Sequence, residues 1–146
     1  MATAWLGKTR PETATLLLRL FLGAVLIYGT QDNVFHHGRM VEFRDFLAQH
    51  HFPYPMLSAH LSAWAQFGCG WLLVAGVATR AAALVVVGNF LVALVMVHQG
   101  LPFNQNIAPL AMLIGGVYFL LHGPGRYSLA EYLARRSTQV PPVDRL

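Results

Sequence analysis

The stretch SAWAQFGCGWLLVAGVATR, Ser62–Arg80, decides the fold. It is apolar almost throughout, it ends on a charge, and it holds an amide, Gln66, near its middle. With the residues before it, the apolar run reaches from Met56 to Ala78. A helix needs roughly 20 residues to cross the hydrocarbon core of a bilayer, so this run is long enough. An unpaired amide in hydrocarbon costs several kcal/mol, so Gln66 must face inward and meet another polar group. One span therefore implies others around it.

Composition agrees. Of the 146 residues, 55% are hydrophobic and only 11% are charged, against roughly 25% charged in a soluble domain. Such a chain either aggregates or lives in lipid. The net charge of +4 does not point to nucleic acid, because the basic residues are scattered at the ends of apolar runs and form no patch. Cys69 is the one cysteine. An internal disulfide, a CxxC pair and a cysteine-based zinc site are thereby excluded.

Outward from the opening stretch lie three more apolar runs: Ala14–Tyr28, Ala81–Val97 and Ile107–Leu121. Lys8 and Arg10 before the first run imitate a signal peptide, but Arg19 interrupts it and no small-residue cleavage site follows. An uncleaved first span is expected. With four spans, Lys8, Arg10, Arg19, Arg80, Arg126, Arg135, Arg136 and Arg145 share one side, against Arg39 and Arg44 on the other. The positive-inside rule then places both termini in the cytoplasm and the Gln31–Pro55 loop outside. Arg19 either snorkels to the cytoplasmic head groups or turns inward and pairs.

Two surface helices are expected. In RMVEFRDFLAQH, Met40, Phe43 and Leu47 form a stripe, with Arg39, Glu42 and Asp45 mostly off it. This is a short amphipathic helix that lies on the bilayer or caps the bundle. FPYP, Phe52–Pro55, ends it. After the last span, Gly-Pro-Gly is followed by Ser128 and Glu131 at capping-box spacing, which starts a cytoplasmic helix. The fold class is thus an all-α membrane protein: a four-transmembrane-helix bundle over residues 1–136, with a flexible tail over 137–146.

Depth along the spans follows from a rise of ~1.5 Å per residue. Gln66 and Asn89 then both lie roughly 15 Å deep, from opposite faces, and can meet. They serve either as interhelical glue or as a pair facing a ligand. Gly68, Cys69 and Gly70 beside them suit close helix packing. Ala111, Gly115 and Gly116 suit close contact within or between chains.

Six of the seven histidines map to the outer half: His36, His37, His50, His51, His60 and His98. Gln31, Asp32, Asn33, Gln99, Asn104 and Asn106 join them there. Three readings of this layer stay open. It is a solvated rim; or a small-ligand site, with His60 or His98 over Phe67 or Phe103; or a metal site drawing on His36, His60, His98, Met40 or Asp32. Imidazole and thioether suit copper, and imidazole with carboxylate suits zinc. No HxxxH or HxH spacing supports the metal reading.

Together, LLLRLFLGAVLIYG in the first span, FPYP, GCGWLLVAGVATRAAAL (Gly68–Leu84), NFLVALVMVH (Asn89–His98) and GPGRYSL (Gly123–Leu129) resemble the DoxX family of small membrane proteins. The resemblance covers roughly Leu16 to Tyr132. It implies four transmembrane helices, a prokaryotic plasma membrane, and association with quinone-linked or stress-related redox systems. Many members have a glutamate where this chain has Gln66, and a lysine near the end of span one, where this chain has Asp32. A proton or ion-pair role for those two groups is therefore not carried over. Two functions follow as expectations. In the first, an accessory redox subunit holds a quinone in a slot lined by Gln66, Asn89, His60, His98, Trp64 and Phe67, with Trp71 beside it. In the second, a non-enzymatic scaffold or copper- or zinc-handling partner uses His36, His60 and His98. The sequence has no flavin or nucleotide motif and no thiol pair, so whether it catalyses anything is open. The implied partners are the lipid bilayer, a redox or scaffold protein, or a second copy of the chain, and no nucleic acid.

Overall fold

A computed structural model describes residues 10–138, and all the regular structure among them is helical. The helices are α1 (Pro11–Phe35), α2 (His37–Gln49), α3 (Pro55–Ala75), α4 (Thr79–Met96), α5 (Phe103–His122) and α6 (Leu129–Thr138). By length and composition α1, α4 and α5 are apolar enough to cross a membrane. The run that opened the sequence reading, α3, is 21 residues long but is not among those three. Ser58, His60, Ser62 and Gln66 dilute its hydropathy.

Local chemistry sets the helix ends. Pro11 begins α1 where its missing N–H costs nothing, and Glu12 follows in the positive first turn. No strong breaker stands between Tyr28 and Phe35, so α1 runs on and Gln31, Asp32 and Asn33 are helical, where a loop was expected. The break comes at His36, which is extended (φ −121°, ψ 112°). Pro109 sits inside α5, buried against its neighbours, as membrane helices tolerate. The expected tail begins later than read, since α6 continues through Thr138; its remaining residues, 139–146, lie outside the described residues.

Packing is organised by glycines. A Cβ on Gly23 would stand 2.7 Å from the Gly70 carbonyl oxygen, and one on Gly70 would stand 2.9 Å from that of Gly23. The α1 and α3 backbones therefore touch. Gly115 accepts Leu22 of α1, and Gly116 accepts Val87 of α4. The α5 glycines thus serve contacts inside the chain. Leu22, Leu26, Cys69, Leu73, Ala83, Val86, Met112 and Phe119 form the central core. A second core lies under α2, where Met40 and Leu47 meet Ala59 and Ala63 of α3. The apolar stripe of α2 is consequently turned onto the bundle.

The opposite end is tied by α1. Arg19 is buried, and its two terminal nitrogens donate to the carbonyls of Pro124 and, at 2.6 Å, Tyr127. Of the two fates open to Arg19, the inward one is realised, with backbone carbonyls in place of an acid. Gly76, in the left-handed region at φ +70°, lies against it; a Cβ there would come within 2.8 Å of the guanidinium. Thr15 bonds the Tyr118 hydroxyl at 2.9 Å, and Glu12 accepts the Arg126 N–H at 2.9 Å. The capping box at Ser128 is half formed. The Ser128 hydroxyl accepts the Glu131 N–H at 3.2 Å, while the Glu131 carboxylate turns to Arg135 at 3.0 Å.

Candidate functional site

α1 pairs closely with α3, and α4 with α5; α3 and α4 meet more loosely. A cavity of about 550 Å³ occupies the gap between α3 and α4, and α2 roofs it. This volume falls within the range of small-molecule sites. Its walls are apolar: Phe43, Phe46 and Leu47 of α2, Phe52 of the following turn, Leu61 and Ala65 of α3, and Val85, Phe90, Val92 and Ala93 of α4. Leu61 of α3 and Val85 and Val92 of α4 are exposed as well as lining the cavity, so it is open and not enclosed.

Polar groups sit at two levels. At the deeper one, Gln66 Nε2 donates to Ser62 Oγ at 3.0 Å, and Ser62 Oγ donates to Asn89 Oδ1 at 2.8 Å. The two amides expected to meet do so, through a hydroxyl. The direction of the relay matters. It uses the Asn89 oxygen and leaves Asn89 Nδ2, and one hydrogen of Gln66 Nε2, without a protein partner among the described residues. Ser62, Gln66 and Asn89 all line the cavity, which therefore carries hydrogen-bond donors on an apolar wall. At the other level, beside α2, stands His98. Its Nδ1 is buried and has no hydrogen-bond partner among the described residues.

The remaining expected residues lie elsewhere. On α3, Ser58, Leu61, Ser62, Ala65 and Gln66 share the face toward the cavity, and His60, Trp64 and Phe67 fall off it. His60 Nδ1 is within 2.9 Å of the Met56 carbonyl. The Phe67 ring packs edge-on against Phe35, Trp64 and Trp71, with centroids 5.5, 6.3 and 6.5 Å away. Phe103 is exposed. No three of His, Cys, Asp and Glu among the described residues come together in a way that could hold a metal ion, so His36, His60 and His98 do not assemble as a ligand set. On α2, Glu42 bonds Arg39 at 2.8 Å on the surface and holds its guanidinium above its ordinary range; neither residue reaches the cavity.

Sequence reading missed Ser62. Its signal was present, since Ser58, Ser62 and Gln66 recur every four residues and so lie on one face of a helix.

Apolar spans and helices locked by glycine define a helical integral membrane protein. A family model described as DoxX matches residues 14–99, more than half of the chain, and the protein belongs to the DoxX family. The matched segment runs from α1 to just past α4 and contains every cavity-lining residue. No curated protein and no solved structure matches the chain.

Proposed function

We propose that this DoxX protein is an accessory subunit of a quinone-linked redox system in a prokaryotic plasma membrane, and that it holds a quinone head group in the α2–α3–α4 cavity. The observation that carries the reading is the directed relay from Gln66 through Ser62 to Asn89. It presents N–H donors at the bottom of an apolar slot, and a quinone carbonyl accepts hydrogen bonds while its ring needs apolar walls. Because the cavity is open, with Leu61, Val85 and Val92 exposed, a prenyl tail has a way out of it.

The topology that goes with this reading has four spans. α3 crosses as the fourth because it is packed along the length of α1 and because Ser58, Ser62 and Gln66 face the cavity and not the acyl chains, while His60, off that face, has its Nδ1 at the Met56 carbonyl. Both termini lie in the cytoplasm, and α2 roofs the cavity on the outer side.

The test is to purify the full chain in mild detergent, extract it with organic solvent, and quantify quinone by chromatography. Wild-type protein should carry quinone or bind an added short-chain analogue saturably. Asn89→Leu should lower the affinity about tenfold, the effect of losing one buried hydrogen bond. Wild-type protein that neither retains quinone nor saturates with the analogue overturns the reading.

A further inference from the structure

Two short helices of the chain are amphipathic by sequence, and only one has its apolar face covered. The stripe of α2 is buried on α3. On α6, Leu129, Tyr132 and Leu133 recur at three- and four-residue spacing and so share a face. They are 46%, 51% and 53% exposed, and α6 packs closely on no other helix. Arg136 extends that face, with its guanidinium 4.9 Å from the centre of the Tyr132 ring. Glu131 and Arg135 pair with each other at 3.0 Å, and helical spacing turns both away from the apolar face.

The start of α6 is fixed at one level of the bundle. Ser128 is buried, and the Ala130 N–H reaches the Gly76 carbonyl at 3.4 Å. Gly76 is the C-cap of α3, and Arg19 holds the Tyr127 carbonyl. α5, apolar enough to cross a membrane, ends at His122, just before the turn that leads to α6. The apolar face of α6 therefore stands where a crossing helix leaves the hydrocarbon.

At that level an uncovered apolar face meets either water or the head-group layer. Water forfeits the transfer of two leucines and a tyrosine, and the head-group layer takes them in. Charge then decides which surface fits. Arg126, in the turn before α6, and Arg136 are exposed, and their side chains form no ion pair among the described residues. A second copy meeting this face symmetrically would set Arg136 against Arg136. An anionic leaflet supplies the missing counter-charge.

We infer that α6 docks on anionic phospholipid, with Leu129, Tyr132 and Leu133 inserted at the head-group level and Arg126 and Arg136 on the lipid phosphates. The inference does not depend on what fills the cavity.

The experiment uses the full chain in nanodiscs of phosphatidylcholine, with or without phosphatidylglycerol. In a Cys69→Ala background, a spin label is placed on Leu133→Cys, on the apolar face, or on Ala134→Cys, off it. Electron paramagnetic resonance compares relaxation by oxygen, which concentrates in lipid, with relaxation by a water-soluble nickel chelate. With phosphatidylglycerol present, the Leu133→Cys label should favour oxygen and the Ala134→Cys label should favour nickel. Without it, or at high salt, the oxygen preference at Leu133→Cys should weaken. Arg126→Gln and Arg136→Gln should each lower the ratio of docked to undocked helix about fivefold with phosphatidylglycerol, and leave it unchanged without. A Leu133→Cys label that relaxes alike in the two lipids removes the charge recognition and overturns the inference. Equal nickel access at the two positions puts α6 in water and also overturns it. Shielding of Leu133→Cys from both relaxants means that protein covers the face, which overturns it too. Each of these outcomes leaves the quinone reading as it stands.

Discussion

Ser62 is a small residue with a large share of the site's polarity. Its hydroxyl accepts from Gln66 and donates to Asn89, so it fixes which end of the asparagine amide is left for a ligand. Ser62→Ala should leave Gln66 and Asn89 without their shared partner and destabilise the protein by about 1–2 kcal/mol. Thermal unfolding in detergent measures this, and an unchanged midpoint would show the relay to be idle. Arg19 predicts a larger effect. It is fully buried and bonds two carbonyls, so Arg19→Met should cost about 3 kcal/mol, since charged hydrogen bonds are worth about 1.5–3 kcal/mol each. The sequence showed that Gln66 and Asn89 share a depth, because depth follows from counting residues. It did not show which aromatic residues flank them. Within a span nearly every residue is apolar, so periodicity does not mark the inward face, and Trp64 and Phe67 were placed in the slot on proximity alone. Ser58 and Ser62 continue the face of Gln66 at four-residue spacing, and that face lines the cavity.

At the level of elements, the helix pairs are set by where a backbone can approach a backbone. Gly70 and Gly23 meet across α1 and α3, whereas Gly68, two residues away, has nothing within 4 Å of where its Cβ would be. The two therefore predict opposite outcomes. Gly70→Val should destabilise by at least about 1–3 kcal/mol through overpacking. Gly68→Ala should be neutral or stabilise by about 0.5–1 kcal/mol, the helix-interior preference for alanine. Unfolding midpoints of the two variants side by side decide it, and equal losses would remove the glycine crossing as the α1–α3 lock. The helices themselves were largely legible from apolar runs and prolines. The extension of α1 to Phe35 was not, because polar residues after an apolar run look like a loop when nothing in the local sequence forbids it. A lone glycine such as Gly29 costs a helix only about 1 kcal/mol and does not end it.

For the whole molecule, the arrangement puts α2 at one end of the bundle and the Arg19 cluster with α6 at the other. If α3 completes the crossing, these ends face different compartments. Gly38 on α2 has open space around its Cβ position, and Ser137 is exposed near the end of α6, so both accept a reporter thiol. In a Cys69→Ala background, a membrane-impermeant maleimide should label Gly38→Cys in cells with a permeabilised outer envelope. It should reach Ser137→Cys only after the plasma membrane is opened. Labelling of both from the same side would place an even number of crossings between them, where the four-span topology has three, and would overturn it. The family was recognisable from scattered motifs, while the cavity was not, since a void between two helices leaves no mark on either one alone.

The bonds made by Arg19 also dictate a timetable. Its acceptors, Pro124 and Tyr127, follow it by 105 and 108 residues, so they leave the ribosome long after α1 has met the membrane. Until then the guanidinium has only water or lipid phosphate to satisfy it, and α1 waits near the surface instead of seating fully. The first segment made is thus the last to settle. A nascent chain stalled before Pro124 should leave α1 shallow and extractable by alkali, and one stalled well beyond Tyr127 should resist extraction.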